Sequence, residues 1–341
     1  MKVTMKDIAK ALNVSINAVS IALNDKAGVS EEMRLSILQT AKEMGYLEGK
    51  DKYGGNYARS NLCLMMQNKY SGDMDFYGKV LYSVVVEARK NGYNTIMNFI
   101  DDEQMEVPEC IRNYQVSGII TIGKISHSNI RQLIEYHLPF VMVDHTSLMD
   151  SVDSILTNNK LGGYLITKYL IERGFTKIGF FGDLDYSLSI NDRFFGYKQA
   201  LQNDGIDKEY DSIDTYVSTY SITKNIENAV LNQDSKKVEE LIKNIKAMPE
   251  VFICSNDKAA IALMMVLWQS GYRIPEEISV VGFDNIDLCE RVVPKLTTVH
   301  VNKKEMGERA VQRLKYRMEH KGCEPESIVL NVEIVERDSV R

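Results

Sequence analysis

A chain of 341 residues with 44% hydrophobic and 26% charged residues has the composition of a globular protein with more than one core, which excludes a disordered chain. The formal charge is -6, yet residues 1–60 hold nine Lys/Arg against seven Asp/Glu, so the amino-terminal segment stands at +2 and the remainder at -8. Five cysteines (Cys63, Cys110, Cys254, Cys289 and Cys323), odd in number, far apart and without a C-x-x-C, exclude a disulfide framework and a zinc site.

The opening MKVTMKDIAK lacks the apolar run of a secretory signal, and no stretch approaches the roughly 20 apolar residues that span a bilayer. A cytoplasmic protein without membrane contact is expected. Thr4 can cap a helix starting at Met5, with Asp7 in its first turn and Ile8, Ala11 and Leu12 as its apolar face. Asn13 tolerates the left-handed conformation of a tight turn, and Ser15 can cap the next helix at once. Two helices joined so closely form a helix-turn-helix, and Ala9 is small enough to let them cross.

In VSINAVSIALN, residues 14–24, Val19, Ala22 and Leu23 share a face that wants burial, which turns Asn17, Ser20 and Ile21 elsewhere. An amide bonds adenine bidentately, a hydroxyl bonds phosphate or a base edge, and an aliphatic suits the thymine methyl, so this outward face fits a major groove. A third helix follows from Ser30, with Met33, Ile37, Ala41 and Met44 at helical spacing and Gly45 as its stop. Lys2, Lys6 and Lys10 are placed for phosphates.

The run VTMKDIAKALNVSINAVSIALN, followed by Val29, Ser30, Arg34, Gly45 and Tyr46, closely resembles the DNA-binding domain of LacI/GalR family repressors. The resemblance implies that Ile16, Asn17 and Ile21 occupy the main base-reading positions, with Thr4, Lys6, Ser15, Ser20 and Asn24 in the DNA-binding set. Two departures stand out. The family commonly carries Arg where this chain has Ile21, and its hinge-helix pattern is absent from LEGKDKYGGNYARSN, where Gly49, Gly54 and Gly55 disfavour helix. A flexible linker or a hinge helix both stay open for residues 48–60.

From Asn61 apolar runs alternate with helical segments: LCLMM, a helix over 77–91, TIMNFI, SGIITIG, a helix over 129–136 and PFVMVD. The pattern restarts with a helix to Arg173, KIGFFG, a helix over 192–204, a strand over 214–217, a helix over 235–246, VFICS, a helix over 258–270 and ISVVGFD. The reading is two doubly wound parallel α/β lobes facing each other across a cleft, with ligand beyond the carboxyl ends of the strands. Asp144, Asn256, Asp257, Asp284 and Arg193 sit at or close behind such ends. Trp268, beside Met264, Met265 and Leu267, is read as core.

SINDRFFGYKQAL, ICSNDKAAIALMMVL, GYRIPEEISVVGFDNI and PKLTTVHVNKKEMGERAVQRL extend the resemblance to the family's effector domain, homologous to sugar-binding periplasmic proteins. Its effector contacts map onto Asp144, Thr157, Ser189, Arg193, Asn256 and Asp284, with Phe76 and Tyr77 for the pocket wall, while Asn158 stands where many relatives carry Asp. Enzyme chemistry is not expected. GIITIGKI nearly matches a P-loop, but Ile125 replaces the magnesium-binding hydroxyl, and His127, His137, His145, His300 and His320 show no ligand spacing.

The expected organisation is an all-α helix-turn-helix head at 1–47, a linker at 48–60 and a two-lobed, periplasmic-binding-protein-like α/β effector domain at 61–341. Lobe one takes 61–157 and 291–320, and lobe two takes 158–290 and 321–341. The expected function is a transcriptional regulator without cofactor or metal, a homodimer on pseudo-palindromic operator DNA, controlled by a small molecule. A carbohydrate is the first expectation for that effector, and a nucleobase or a partner protein stays open.

Overall fold

The computed structural model describes residues 3–23, 28–46, 61–320 and 322–341. Lys2, Asn24 and the linker at 48–60 lie outside the described residues.

The head is three helices, α1 (Met5–Ala11), α2 (Ile16–Leu23) and α3 (Glu31–Glu43). Their starts follow local chemistry. The Asp7 carboxylate accepts the Thr4 N–H at 2.9 Å and the Thr4 hydroxyl at 2.6 Å. The Ser15 and Ser30 hydroxyls accept the N–H of Ala18 and Met33, and the left-handed Asn13 (φ 53°) makes the turn between α1 and α2. Ile8, Ala9, Val19, Ala22, Ile37 and Ala41 close one small core, and the buried Arg34 donates to the Ala22 carbonyl at 3.3 Å to tie α3 to the end of α2.

From Asn61 the chain builds β1 (Asn61–Gln67), α4 (Lys79–Lys90, entered through a π-turn at Met74–Gly78), β2 (Asn94–Ile100), α5 (Glu109–Arg112), β3 (Gly118–Ile122), α6 (His127–Ile134), β4 (Phe140–Val143) and β5 (Asp153–Thr157). A second unit follows with α7 (Asn159–Glu172), β6 (Ile178–Phe181), α8 (Leu188–Asp204), α9 (Ile213–Tyr220), α10 (Ile226–Leu231) and α11 (Ser235–Lys243). It continues with β7 (Val251–Cys254), α12 (Asp257–Gln269), β8 (Ser279–Asp284) and β9 (Thr297–His300), before α13 (Lys303–Glu319), β10 (Ser327–Leu330) and β11 (Glu333–Val335). One sheet runs β10-β5-β4-β3-β1-β2, all parallel, and the other β11-β9-β8-β7-β6, parallel except for β11. Strands such as GIITI and VFIC are buried along their whole length, as parallel strands covered on both faces must be.

Three expectations differ from the structure. Residues 214–217 are helical, within α9: Ser212 caps it by accepting the Thr215 N–H, and Tyr216 and Tyr220, four residues apart, are buried on one side. A helical period explains those tyrosines better than alternation does. The carboxyl-terminal stretch also divides differently. β9 pairs with β8 in the second sheet, α13 packs on α4 and on β3, β4 and β5, β10 pairs with β5 in the first sheet, and β11 returns to β9. The chain therefore crosses between lobes after Thr157, after His300 and after Leu330. Lastly, Trp268 is 75% and Met265 57% exposed, while Met264 and Leu267 on the other side of α12 are buried. A helix apolar all round carries no stripe to say which side is core.

Candidate functional site

On the head, α2 presents Ile16 (47% exposed) and Asn17 outward, with Ser20 and Ile21 partly covered. Ile21 lies against Gly28, so it is less free than the outward face alone implied. Thr4, Lys6 and Ser15 are exposed at the amino-terminal ends of α1 and α2. On α2 the exposed Ile16 and Asn17 stand apart from Val19, Ala22 and Leu23, which turn into the core.

In the body, a cleft between the lobes encloses about 270 Å³, and all eight residues named for the effector line it: Phe76, Tyr77, Asp144, Thr157, Ser189, Arg193, Asn256 and Asp284. The fold explains the convergence. Asp144 follows β4 and Asp284 ends β8, both at positive φ (57° and 108°), while Asn256 follows β7. Arg193 lies in the second turn of α8, which begins under a Ser187 cap. Close crossing of α7 and α8 brings one partner, Asn159, to it. A Cβ on Gly163 would stand 2.0 Å from the Arg193 carbonyl oxygen and one on Gly196 2.1 Å from that of Lys160, so no larger residue fits.

Arg193 is held on every side. It donates Nε–H to Asn159 Oδ1 at 2.8 Å, Nη1–H to the Ser255 carbonyl and Nη2–H to Asp284 Oδ1 at 3.2 Å, and its guanidinium lies 3.7 Å from the centre of the Phe283 ring. Across the cleft, the Tyr77 hydroxyl donates to Asp144 Oδ2 at 3.1 Å, and Ser189 of the second lobe hydrogen-bonds the same carboxylate. The aromatic wall is a T-shaped Phe76–Tyr77 pair with Tyr70 tilted 4.6 Å from Tyr77. Gly123 makes room for it, since a Cβ there would reach within 2.8 Å of the Tyr70 ring.

Burial pushes the Asp144 carboxyl up to about 6, against the pull of Arg193 and with repulsion from Asp284. Asp284 is also raised by burial, with Arg193 and Lys303 opposing. Glu227, which accepts from the Ser255 hydroxyl and the Asp183 N–H, is raised by burial as well. The cleft thus holds carboxyl groups away from their ordinary charge balance, a property common in binding sites.

Two of the eight are less available than the rest. Asn256 caps α12 by accepting the Ala259 N–H at 2.9 Å, and Thr157 is buried with its hydroxyl 3.7 Å from the Met306 sulfur. Asn158 caps α7 and bonds Asn331, while the neighbouring Asn159 reaches Arg193. Sequence reasoning missed Asn159, Glu227 and a pair that spans the lobes, Asp73 with Lys258 at 3.0 Å. Asp73 had a legible signal, since it accepts the Phe76 N–H as a cap immediately before the aromatic wall, but Glu227 sits in a short helix with no motif.

Residues 4–48 match the bacterial regulatory proteins of the lacI family, and residues 167–340 match a periplasmic binding protein-like domain. The HTH-type transcriptional repressor PurR of Vibrio atlanticus (strain LGP32) is 32% identical over 351 aligned positions, covering 99% of this chain and 98% of that repressor. Among solved structures, a transcriptional regulator CelR in complex with cellobiose superposes with a TM-score of 0.67 at 22% identity over 99% of this chain and 100% of its own. The lac repressor dimer bound to operator and the anti-inducer ONPF does so with a TM-score of 0.67 at 19% identity over 99% of both chains. With a helix-turn-helix head, a two-lobed parallel α/β body and a relative this similar along its whole length, the chain belongs to the LacI family of DNA-binding transcriptional repressors.

Proposed function

We propose that the repressor is controlled by a sugar bound between the lobes, and that a homodimer presents two heads to a pseudo-palindromic operator. The observation that carries the effector reading is the meeting of Arg193, Asp284 and Asp144 opposite the aromatic wall of Phe76 and Tyr77. Three of the five guanidinium N–H groups are occupied among the described residues, which leaves two for a ligand hydroxyl. Carboxylates accept from the neighbouring hydroxyls, and an aromatic face covers the C–H face of a sugar ring. Ser189 and Asn256 complete the polar set. Ligand contacts to both lobes would favour the closed arrangement, and closure is a two-state element that can alter the spacing of the heads.

A nucleobase is the second reading. Tyr77 and the tilted Tyr70 beside it present aromatic surface to the cleft, and the curated relatives carry the PurR name. Thermal shift of the full-length protein against mono- and oligosaccharides and nucleobases separates the two, because a ligand that binds the native state alone raises the melting temperature, by an amount that grows with the logarithm of its concentration above Kd. A rise with a sugar alone supports the first reading, a rise with a base alone replaces it, and no rise with either points to a partner protein.

For the dimer, exposed apolar side chains lie on both lobes: Tyr82 (71%) on α4, Trp268 (75%) on α12 and Val293 (95%) close by it. Large exposed apolar patches mark interaction sites, and a second copy is the occupant we assign. On DNA, Ile16, Asn17 and Ile21 read bases while Thr4, Lys6, Ser15 and Ser20 hold the backbone, in a half-site weighted to adenine and thymine. Selection from random duplexes tests this, and a guanine-dominated half-site would overturn it.

A further inference from the structure

Away from the cleft, the first lobe brings two thiols together. Cys63 on β1 and Cys110 on α5 are 47 residues apart in the chain, and their sulfurs are 3.7 Å apart. Asn98 on β2 directs its side-chain amide to both, 3.3 Å from Cys63 Sγ and 3.8 Å from Cys110 Sγ. Cys63 is fully buried and Cys110 is 7% exposed, so a small reagent reaches Cys110 first. A disulfide needs the sulfurs at about 2.05 Å, so the two must still draw together from their 3.7 Å separation.

We infer that Cys63 and Cys110 are a redox modification site, joined as a reversible disulfide when the protein meets a hydroperoxide, with Cys110 as the attacking sulfur. The hydrogen bond with Cys63 pulls the Cys110 thiol below its ordinary value against burial, with help from Asn98 and the Ile111 N–H. The same hydrogen bond, and then burial, pushes Cys63 up. Nucleophilic attack belongs to the thiolate, so the pair has one attacking and one resolving member.

With hydrogen peroxide the steps balance. The Cys110 thiolate attacks one peroxide oxygen, the O–O bond breaks, and the leaving hydroxide takes a proton to depart as water, leaving Cys110 as a sulfenic acid. Cys63 then attacks that sulfur and yields its thiol proton to the departing hydroxyl, which leaves as a second water. Two thiols and one peroxide become one disulfide and two waters. Cys254 and Cys289 are not in competition, because burial raises both thiols far from the thiolate. The partly exposed Cys323 is the internal control.

The test is peptide mass mapping of the full-length protein treated with hydrogen peroxide, its remaining thiols then alkylated. The expected result is a Cys63–Cys110 cross-linked peptide that dithiothreitol reverses. In Cys63→Ser, dimedone should trap a sulfenic acid at Cys110, and in Cys110→Ser it should trap none at Cys63. Oxidation of Cys323 while Cys63 and Cys110 still alkylate would overturn the inference, as would a cross-link from either to Cys323. Trapping at Cys63 in Cys110→Ser would overturn the assignment of the attacking sulfur. The wild-type map decides the pairing even where a variant fails to fold.

Discussion

Replacing Asp144 with Asn should stabilise the ligand-free protein at neutral pH while weakening its grip on the effector. Raising a carboxyl from its ordinary 3.8 to about 6 costs the ionised folded state about 3 kcal/mol. Water reaching the half-buried side chain reduces that, so a gain of about 1–3 kcal/mol is expected. The sign comes from proton binding. Between pH 3.8 and 6 the folded state holds the Asp144 proton more firmly than the unfolded chain does, so this group's contribution falls as pH rises and its full cost is present above 6. The advantage of Asp144→Asn should therefore be largest at pH 7.5, fall by about half at pH 5 and vanish below the unfolded value. Two local features make Asn a fair substitute. Residue 144 sits at φ 57°, a left-handed conformation Asn adopts readily, and an amide oxygen can still accept from the Tyr77 hydroxyl. Urea unfolding of both proteins, monitored by far-ultraviolet circular dichroism from pH 5 to 8, measures the difference. A variant less stable at pH 7.5, or a difference that does not change with pH, would refute the reasoning.

Arg193→Ala should destabilise the second lobe by about 3–5 kcal/mol, because it strands Asp284 and Asn159 in a buried site; denaturation of the effector-free protein checks this. Asn17→Ala should cost about 1–3 kcal/mol at one base pair and relax preference only there, read by repeat selection from random duplexes. Lys10→Ala should weaken all sequences about equally and lower the salt slope by about one counterion, read by binding titrations across salt. Trp268→Arg should shift a dimer toward monomer in sedimentation velocity and reduce operator affinity through lost bivalency; an unchanged dimer would reject that surface.

Much of this protein is legible in its sequence because the signals are local. Caps at Ser15 and Ser30, the left-handed Asn13 and the period of Val19, Ala22 and Leu23 mark where the helices of the head start, turn and bury a face, each within a turn or two of chain. The eight cleft residues are likewise reachable, because parallel strands deliver the residues at their carboxyl ends to one edge of the sheet and the motifs around Arg193 and Asp284 resemble a known family. The tertiary structure alone decides the rest. Four-residue strands such as β9 and β10 carry no mark of which sheet edge will accept them, so their exchange between lobes is set by the space each sheet leaves open. The exposure of Trp268 depends on which side of an all-apolar helix meets the sheet. Asn159 matters only because the Gly163–Gly196 crossing brings it to Arg193, Ser255 because β7 pairs beside β6, and Cys63 meets Cys110 only because α5 packs its buried side into the same core as β1. Periods of 2 and 3.6 residues encode how a segment folds on itself, whereas contacts between distant segments are settled by packing of the whole lobe.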